Sequence, residues 1–329
     1  MTKLLIIRFT AIGDVVMTAP VVHDLACQYP ELQITVLSKE RMAAYFADMP
    51  ENVTFRGVNL NNYKGLGGLF RLFRELKREN YDLVADFHDV IRSKVLRLLF
   101  CCFWGKTAHI QKGREEKKSL TQEGSEKHQL KTSFQRYADV LGKLGYPVQL
   151  TYKPEKKSHP SAAERWIGIA PFAAHAGKIY PQEKMKEVIR LLAASPENRI
   201  FLFGGGQREK QILEEWAGIS PQVQSMVGKL SQQEELDLMS QLDAMISMDS
   251  ANMHMASLVG TPVLSIWGAT HPYAGFMGWG QSAENAVQVN LNCRPCSIFG
   301  NKPCKRGDYA CLNQITPILI VERLHRIIS

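Results

Sequence analysis

Short apolar runs alternate with longer amphipathic stretches along the whole chain. The apolar runs have the length of buried strands and lie at residues 4–9, 34–37, 83–87, 167–170, 200–203, 244–248 and 263–267. Between several of them, apolar residues recur at helical spacing, at residues 69–79, 134–144, 184–193 and 234–242. Strands that alternate with helices are typical of parallel sheets with helices on both faces. The pattern therefore predicts an α/β fold.

This alternation runs through the chain twice. It begins at Lys3, fades in the polar, proline-bearing stretch 153–160, and restarts at Trp166. We therefore predict two doubly wound domains, residues 1–155 and 156–315, followed by a helix at 316–329. Ligands of such open sheets bind at the carboxyl ends of the strands, so we expect a ligand in a cleft that the two domains share.

Composition and charge narrow the class of protein. Of the 329 residues, 45% are hydrophobic and 22% are charged, which excludes disorder. No apolar stretch approaches the ~20 residues of a membrane span, and the first is too short for a signal peptide, so we expect a soluble, cytoplasmic protein. The net charge of +8 favours anionic partners, although a solvated cationic surface is the alternative. No nucleic-acid-binding module is recognisable, and we expect no nucleic acid partner.

The first candidate for chemistry follows the first strand. Gly13 allows a tight turn, and Asp14 falls in the first turn of the next helix. The helix N-terminus would hold this carboxylate as an anion facing the ligand. The alternative is that Asp14 only caps the helix.

The most informative segment is a compact βαβ unit over residues 244–267. A polar turn joins its first strand to its helix, so the N–H groups of Ser250, Ala251 and Asn252 would be unsatisfied and could bind a diphosphate. His254 lies one turn inside this helix and could point the same way, or it could be a packing histidine.

Two further loops follow strands of the second domain. In one, Gly177 and Lys178 could place an ammonium group against a phosphate. The spacing of a Walker A loop is absent. The other contains Gly204 and Gly205, where the backbone could approach a nucleotide or sugar, or simply turn from strand to helix. It lacks the dinucleotide fingerprint.

Taken together, these motifs resemble those of glycosyltransferase family 9, the heptosyltransferases of lipopolysaccharide core assembly. The motifs occur in the family's order: Gly13-Asp14-Val15, Gly177-Lys178, Asp249-Ser250 through His254, and Gly260-Thr261-Pro262. The resemblance covers nearly the whole chain. It implies a GT-B fold of two Rossmann-like domains, with the donor bound by the C-terminal domain and the acceptor by the N-terminal one. In such folds the final helix often packs back on the N-terminal domain.

The resemblance also implies an ADP-heptose donor, a lipid-linked lipopolysaccharide acceptor and inversion at the anomeric carbon. Asp14 would be the general base, Gly13 beside it would contribute to donor binding, and Lys178 would contact the donor phosphates. Asp249 would contact the donor sugar, while the amides from Ser250 onward and His254 would line the diphosphate site. One position departs from the family pattern.

That position is Ala251, where the family usually has glycine. The added methyl group leaves another nucleotide-sugar donor as an alternative, and a non-catalytic nucleotide-sugar-binding protein of the same fold is a second one. No Asp-x-Asp pair occurs in the chain. This favours a leaving diphosphate that departs without a bridging metal, so we expect no catalytic cofactor.

Basic residues in the first domain are candidates for acceptor binding. Arg92, Lys112, Arg114 and Lys117 could meet phosphates or acidic sugars of the acceptor, or they could belong to a solvated surface. The apolar, basic run 95–104 could contact the inner membrane peripherally. Its nearly all-round apolarity favours a buried helix instead.

Four of the seven cysteines gather near the C-terminus, at Cys293, Cys296, Cys304 and Cys311. This spacing could close a structural zinc site, which would have no catalytic role. The second C-x2-C of a zinc motif is missing, so reduced thiols without metal are the alternative.

Overall fold

A computed structural model describes residues 1–102, 105–122 and 124–328 of the chain. It divides into two compact units. Unit 1 consists of Met1–Lys112 and Ser133–Tyr152, and unit 2 consists of Gly113–Thr132 and Lys153–Ser329. Each unit contains one parallel sheet with its own helices, as the alternating pattern predicts.

The sheet of unit 1 has five strands among the described residues. They are β1 (Lys3–Ile7), β2 (Gln33–Lys39), β3 (Val53–Val58), β4 (Leu83–Asp86) and β5 (Lys106–His109). Their order is β3-β2-β1-β4-β5, with Leu5 of β1 paired to Thr35 on one side and Val84 on the other. The order reverses between β1 and β4, and this switch point is where doubly wound sheets bind ligands.

Unit 2 repeats this arrangement with six strands in its described part. They are β6 (Arg165–Ala170), β7 (Asn198–Leu202), β8 (Val223–Ser225), β9 (Ala244–Met248), β10 (Val263–Ile266) and β11 (Ala286–Val287). Their order is β11-β10-β9-β6-β7-β8, so the switch point falls between β6 and β9. Gly168 of β6 pairs with Phe201 of β7 and Met245 of β9.

Helices connect these strands. Twelve occur in the described residues, namely α1 (Ile12–Val16), α2 (Thr18–Gln28), α3 (Gly65–Lys77), α4 (Ile91–Cys102), α5 (Arg114–Leu120), α6 (Ser133–Leu144), α7 (Gln182–Ala193), α8 (Gly206–Ala217), α9 (Gln232–Gln241), α10 (Ala251–Leu258), α11 (Ala310–Asn313) and α12 (Pro317–Ile328). Short 3₁₀ turns follow several strands, including Glu40–Phe46 after β2 and Ala176–Lys178 after β6.

The helical spacing of apolar residues explains how the cores form. In α3, Leu69, Leu72, Phe73 and Leu76 are buried, which is the i, i+3, i+4, i+7 pattern of a helix with one core face. The central strand β1 is buried almost throughout, because helices cover both faces of a parallel sheet. Each unit therefore has its own hydrophobic core.

The division into units differs from the predicted boundaries in one segment. The chain passes from unit 1 to unit 2 after Tyr152, close to the predicted boundary, but residues 113–132 also belong to unit 2. There the N–H of Leu130 donates to the carbonyl of Tyr273 at 2.9 Å, and Leu120 and Leu130 pack on Ala274. The prediction that residues 1–155 form one domain is wrong for this segment, because its apolar residues are buried in the other unit.

The final helix belongs to unit 2. In α12, Ile320 and Leu324 are fully buried in the core of unit 2, where the helix packs against α7 and β9. Its apolar stripe therefore completes the core of unit 2, and the expectation that this helix packs back on the N-terminal domain stays a prediction.

Helix α4 is less buried than its composition predicts. Ser93, Leu96 and Phe100 face the core, whereas Ile91 is 81% exposed and Leu98 is 61% exposed. The preference for a buried helix is wrong, because these two apolar side chains are exposed to solvent. The last two residues of the predicted apolar run, Phe103 and Trp104, lie outside the described residues. Among those described, no helix is long and apolar enough to cross a membrane.

Candidate active site

The turn after β1 in unit 1 holds a close ion pair. The guanidinium of Arg8 lies 2.7 Å from Oδ2 of Asp14 and donates to the carbonyl of Phe87 at 2.6 Å. Arg8 is almost completely buried, while the Asp14 side chain is 36% exposed. Oδ2 of Asp14 also accepts the N–H of Ala11 at 3.2 Å. Asp14 is therefore a helix cap and also presents a carboxylate to solvent.

The two oxygens of this carboxylate differ in their surroundings. Oδ2 holds both contacts, with Arg8 and with Ala11, and no described residue hydrogen-bonds to Oδ1. A carboxylate anchored through one oxygen keeps the other available to accept a proton. Gly13 lies in the same helix turn, where its carbonyl accepts the N–H of Met17, and its donor-binding role stays a prediction.

His88 lies beside this pair, directly after β4. Its Nε2 is 3.2 Å from Oγ1 of Thr10. Burial, together with the nearby cations Arg8, Lys112 and Lys39, lowers the pKa of His88 to about 3. The imidazole is therefore neutral at physiological pH.

A buried carboxylate fixes the loop that carries His88. Asp86 is completely buried, and its Oδ1 accepts the N–H groups of His88 and Asp89 at 2.9 and 2.8 Å. Its Oδ2 pairs with Arg97 of α4 at 3.1 Å. Sequence reasoning assigned a site role to none of Arg8, His88 and Asp86. The signal that could have found them is their position at the carboxyl ends of the two strands that flank the switch point.

The switch point of unit 2 brings two predicted residues together. Nζ of Lys178, after β6, lies 2.8 Å from Oδ2 of Asp249, after β9. The side chains are 15% and 4% exposed, so both charges are largely removed from water. An ion pair of this kind holds the ammonium in place and can exchange the carboxylate for another anion, such as a phosphate.

Glycines allow the Lys178 loop to pack this closely. The carbonyl of Gly177 accepts the N–H of Ala269 at 2.8 Å, and a Cβ on Gly177 would lie 2.9 Å from that of Ala269. Gly300 has a φ of +73°, and a Cβ there would lie 2.6 Å from Cγ of Lys178. The aliphatic part of Lys178 is therefore confined between loops, which directs its ammonium group to Asp249.

Helix α10 begins next to this pair. Ser250 is its N-cap residue, with a φ of −144° and no hydrogen bond from its side chain to the helix. Ala251 is the first helical residue and is not among the positive-φ positions, so its methyl group is compatible with this backbone. His254 is buried one turn further on. The segment therefore has the predicted strand–turn–helix form, and the binding roles of these residues stay predictions.

In the second glycine-containing loop, a glutamate side chain fills the turn. Oε2 of Glu209 accepts the N–H of Gly205 at 2.7 Å, and a Cβ on Gly204 would lie 2.9 Å from the same oxygen. A carboxylate therefore fills the turn that begins α8. This contact favours the interpretation that Gly204 and Gly205 only form the turn from strand to helix. Their donor-binding role stays a prediction.

The four predicted acceptor-binding cations are divided between the units. Arg92 lies in the first turn of α4 in unit 1, where Nζ of Lys112 also donates to the carbonyl of Asp89 at 3.1 Å. Arg114 and Lys117 lie on α5 in unit 2. The ammonium of Lys117 lies 4.3 Å from the ring centroid of Phe276. The sequence analysis therefore assigned to one acceptor site residues that the fold places in different units.

The cysteine-containing C-terminal segment also holds a buried arginine. Arg294 donates to the carbonyls of Gly268 and Thr270, at 2.6 and 2.9 Å, and has no carboxylate partner in the described part of the chain. Burial raises the pKa of the Cys311 thiol to about 11 and also raises that of Cys296. Within the described residues, no group of three or more metal-ligating side chains is placed to hold an ion. The zinc site at Cys293, Cys296, Cys304 and Cys311 stays a prediction.

Sequence comparison identifies relatives along most of the chain. The model of glycosyltransferase family 9 (heptosyltransferase) matches residues 69–306. Lipopolysaccharide heptosyltransferase 3 of Escherichia coli is 24% identical over 298 residues, covering 84% of this chain and 85% of its own. Lipooligosaccharide heptosyltransferase 2 of Haemophilus influenzae is 25% identical over 360 residues, covering 99% of each chain.

Solved structures of such enzymes have the same fold. E. coli ADP-heptose lipopolysaccharide heptosyltransferase II matches with a TM-score of 0.74 at 17% identity, covering 100% of this chain and 98% of that one. E. coli heptosyltransferase WaaC, solved with ADP, matches with a TM-score of 0.71 at 18% identity, covering 99% and 100%.

The two Rossmann-like units have the GT-B fold, and the match to the family model defines the protein as a glycosyltransferase. The chain belongs to glycosyltransferase family 9, the heptosyltransferases. The predicted family, fold class and enzyme class are thereby confirmed.

Proposed function

We propose that this enzyme transfers a heptose from ADP-heptose to a lipid-linked lipopolysaccharide inner-core acceptor, with inversion and without a catalytic metal. The observation that carries the proposal is the Lys178–Asp249 ion pair at the switch point of unit 2. It supplies a fixed cation where a Rossmann-like sheet binds phosphates. The named donor follows relatives whose structures contain ADP or an ADP-heptose analogue.

In the proposed donor site, the diphosphate replaces Asp249 as the partner of Lys178. The N–H groups of Ser250 and Ala251 at the start of α10 supply further donors, together with the positive end of the helix dipole. Asp249, released from the ion pair, accepts a hydrogen bond from a hydroxyl group of the donor sugar. His254 lies on the same helix and completes the proposed diphosphate site.

Asp14 is the proposed general base. The acceptor hydroxyl oxygen attacks the anomeric carbon from the face opposite the diphosphate, and its proton passes to Oδ1 of Asp14. The bond between the anomeric carbon and the diphosphate oxygen breaks, and its electron pair leaves with ADP. Lys178 and the helix amides stabilise the charge that grows on the leaving group. The sequence contains no Asp-x-Asp motif. This supports a mechanism in which Lys178 and the helix amides, rather than a metal ion, stabilise the leaving diphosphate.

We further propose that the enzyme works peripherally on the cytoplasmic face of the inner membrane, where a lipid-linked acceptor would be anchored. The outward apolar side chains Ile91 and Leu98 of α4 support this placement.

Calorimetric titration with ADP, UDP and GDP, each with and without Mg²⁺, tests the donor. We expect ADP alone to bind, at roughly micromolar strength, with the same affinity after chelation of divalent ions. Preference for UDP or GDP would contradict the ADP-heptose donor and leave the family intact. Binding of none of the three would favour a nucleotide site that is no longer functional.

A further inference from the structure

A cavity opens at the amino edge of the sheet in unit 1. It has a volume of about 490 Å³ and lies where β1, β2 and β3 begin, with Lys3, Gln33 and Thr54 among its lining residues. Volumes of roughly 300–1,000 Å³ are typical of small-molecule sites. Asp14 follows the opposite, carboxyl end of β1, and the five residues of that strand span about 17 Å. The cavity is therefore distinct from the proposed active site.

Polar side chains line this cavity on a sheet face that is apolar further along the strands. Side chains two residues apart in a strand point to the same face, so Thr35 shares a face with Leu37, and Arg56 shares a face with Val58. Leu37 and Val58 belong to the same core cluster as Leu72 of α3. Thr35 and Arg56 instead line the cavity. Because both faces of a parallel sheet are normally apolar, this change from apolar to polar residues marks a surface adapted to something other than the core.

Hydrogen bonds hold the polar wall of the cavity in place. The guanidinium of Arg56 lies 2.8 Å from Oε1 of Glu79. The hydroxyl of Tyr81 forms hydrogen bonds with Thr35 and Arg56, and burial raises the pKa of Tyr81, so this hydroxyl stays protonated. Nζ of Lys3 donates to the carbonyl of Glu79 at 3.1 Å. These groups are therefore oriented before any ligand binds.

The lining favours a neutral ligand that carries hydroxyl groups. Its charged residues are two cations and two carboxylates, namely Lys3, Arg56, Glu51 and Glu79. A lining whose charges balance has no net attraction for an anion or a cation. The amide of Gln33 and the hydroxyl of Thr54 both donate and accept hydrogen bonds. Sugar hydroxyl groups do the same, and the cavity is large enough for one sugar ring.

We propose that this cavity is a second saccharide-binding site, which holds a neutral sugar through hydrogen bonds between its hydroxyl groups and Gln33, Thr54 and Arg56. The site binds a sugar ring and takes no part in heptose transfer. The inference does not rest on the proposed function, because none of the residues that line the cavity belongs to the candidate active site.

Two substitutions in the cavity and two controls test this site. Thr54 is exposed, so Thr54→Trp can fill the cavity from its rim, whereas Thr54→Ser keeps the hydroxyl group. Arg56→Gln removes the guanidinium, and because its ion pair is partly exposed, this variant is expected to fold, which thermal unfolding verifies. Arg199→Gln is the matched control, because Arg199 of β7 forms a comparable, partly exposed ion pair with Glu164 at 2.8 Å in unit 2.

The probes are the methyl glycosides of glucose, galactose, mannose and a heptose, and their binding is measured by saturation-transfer NMR. We expect at least one of them to bind wild type with a Kd of roughly millimolar strength. Arg56→Gln should weaken that binding about tenfold, and Thr54→Trp should abolish it. Thr54→Ser and Arg199→Gln should bind as wild type does. Saturating ADP should leave the affinity unchanged. The measurement uses neither donor nor acceptor, so a failure of the proposed function would not affect it.

Three results would overturn the proposal. The first is that none of the four glycosides binds wild type. The second is equal binding by wild type and Thr54→Trp, or competition by ADP, because the sugar would then bind elsewhere. The third is a preference for glucuronic acid or glucosamine over the neutral glycosides, which would contradict a neutral ligand.

Discussion

Individual charges in this enzyme are held by specific partners at the ends of central strands. Arg8 anchors Asp14 through one carboxylate oxygen, and Asp249 holds the ammonium of Lys178. Both pairs orient a charged group that would otherwise rotate freely. A proton acceptor and a phosphate ligand both depend on such orientation, because misplaced groups lose most of their effect on the transition state.

Replacement of the proposed base separates binding from chemistry. Asp14→Asn keeps the size of the side chain and can still accept the N–H of Ala11, but it is a poor proton acceptor. We expect the transfer rate to fall about 10²-fold or more, while ADP binds as in wild type. The measurements are single-turnover transfer and calorimetry with ADP. Asp48→Asn, at an exposed carboxylate of the same unit, is the control. Transfer at the wild-type rate in Asp14→Asn would remove this residue from the mechanism.

A double-mutant cycle tests the ion pair in unit 2. Lys178→Ala leaves the carboxylate of Asp249 nearly buried without a counter-ion, which we expect to lower the free energy of unfolding by about 3 kcal/mol and to abolish ADP binding at micromolar concentration. Asp249→Asn frees the ammonium for phosphate, so ADP should bind at least as tightly as in wild type.

The double variant Lys178→Ala, Asp249→Asn should regain part of the lost stability, because no isolated charge remains. Denaturant unfolding and ADP titration of all four proteins complete the cycle. Additive effects on the free energy of unfolding would show that the two side chains do not interact.

At the scale of elements, α4 has two different apolar faces. Leu96 and Phe100 fill the core of unit 1, whereas Ile91 and Leu98 face outward. Arg92 and Lys94 lie on the same helix, which carries no acidic residue. Outward apolar residues beside cations are typical of segments that bind anionic membrane surfaces.

This difference predicts two different effects of substitution on one helix. Leu98→Ser should reduce sedimentation with vesicles that contain anionic phospholipid and leave the unfolding midpoint unchanged. Leu96→Ala should cost about 2–5 kcal/mol of stability without a specific effect on vesicle binding. Ile318→Ser, at an exposed position of α12, controls for the loss of any surface apolar group. Unchanged vesicle binding by Leu98→Ser would argue against α4 as the membrane-contacting element.

At the scale of the whole molecule, the two units repeat one design. In each, the first strand of the sheet is central, the order reverses beside it, and charged residues collect where the flanking strands end. Burial also keeps imidazoles neutral in both units. It lowers the pKa of His88 to about 3 and that of His271 to about 4.

These histidines give folding stability a pH dependence. Their folded-state pKa values lie below the unfolded value of about 6.5, so the unfolded chain binds more protons as the pH falls from about 6.5 toward 3. The stability that comes from burying these two imidazoles in their neutral form is therefore fully present above about pH 6.5 and is lost on acidification. Glu235 acts in the opposite direction, because burial raises its pKa to about 7.

A histidine variant isolates the contribution of His88. In denaturant unfolding between pH 7 and pH 4, His88→Gln should lose less stability than wild type. The exposed His128 is the matched control, and His128→Gln should follow the wild-type curve. Parallel curves for all three proteins would contradict a neutral, buried His88.

The sequence by itself determined the α/β class, the two parallel sheets and the family, because hydrophobic periodicity and the spacing of loop motifs are local properties of the chain. It also placed Asp14, Lys178 and Asp249 after the strands that flank the switch points. Only the tertiary structure decided which charges meet. The pairing of Lys178 with Asp249, the contact of Arg8 with Phe87, and the packing of residues 113–132 and α12 in unit 2 all join segments far apart in sequence. Such contacts depend on the order of the strands in a sheet and on which of its faces remain to be covered. The hydrophobic periodicity of a single segment determines neither of these.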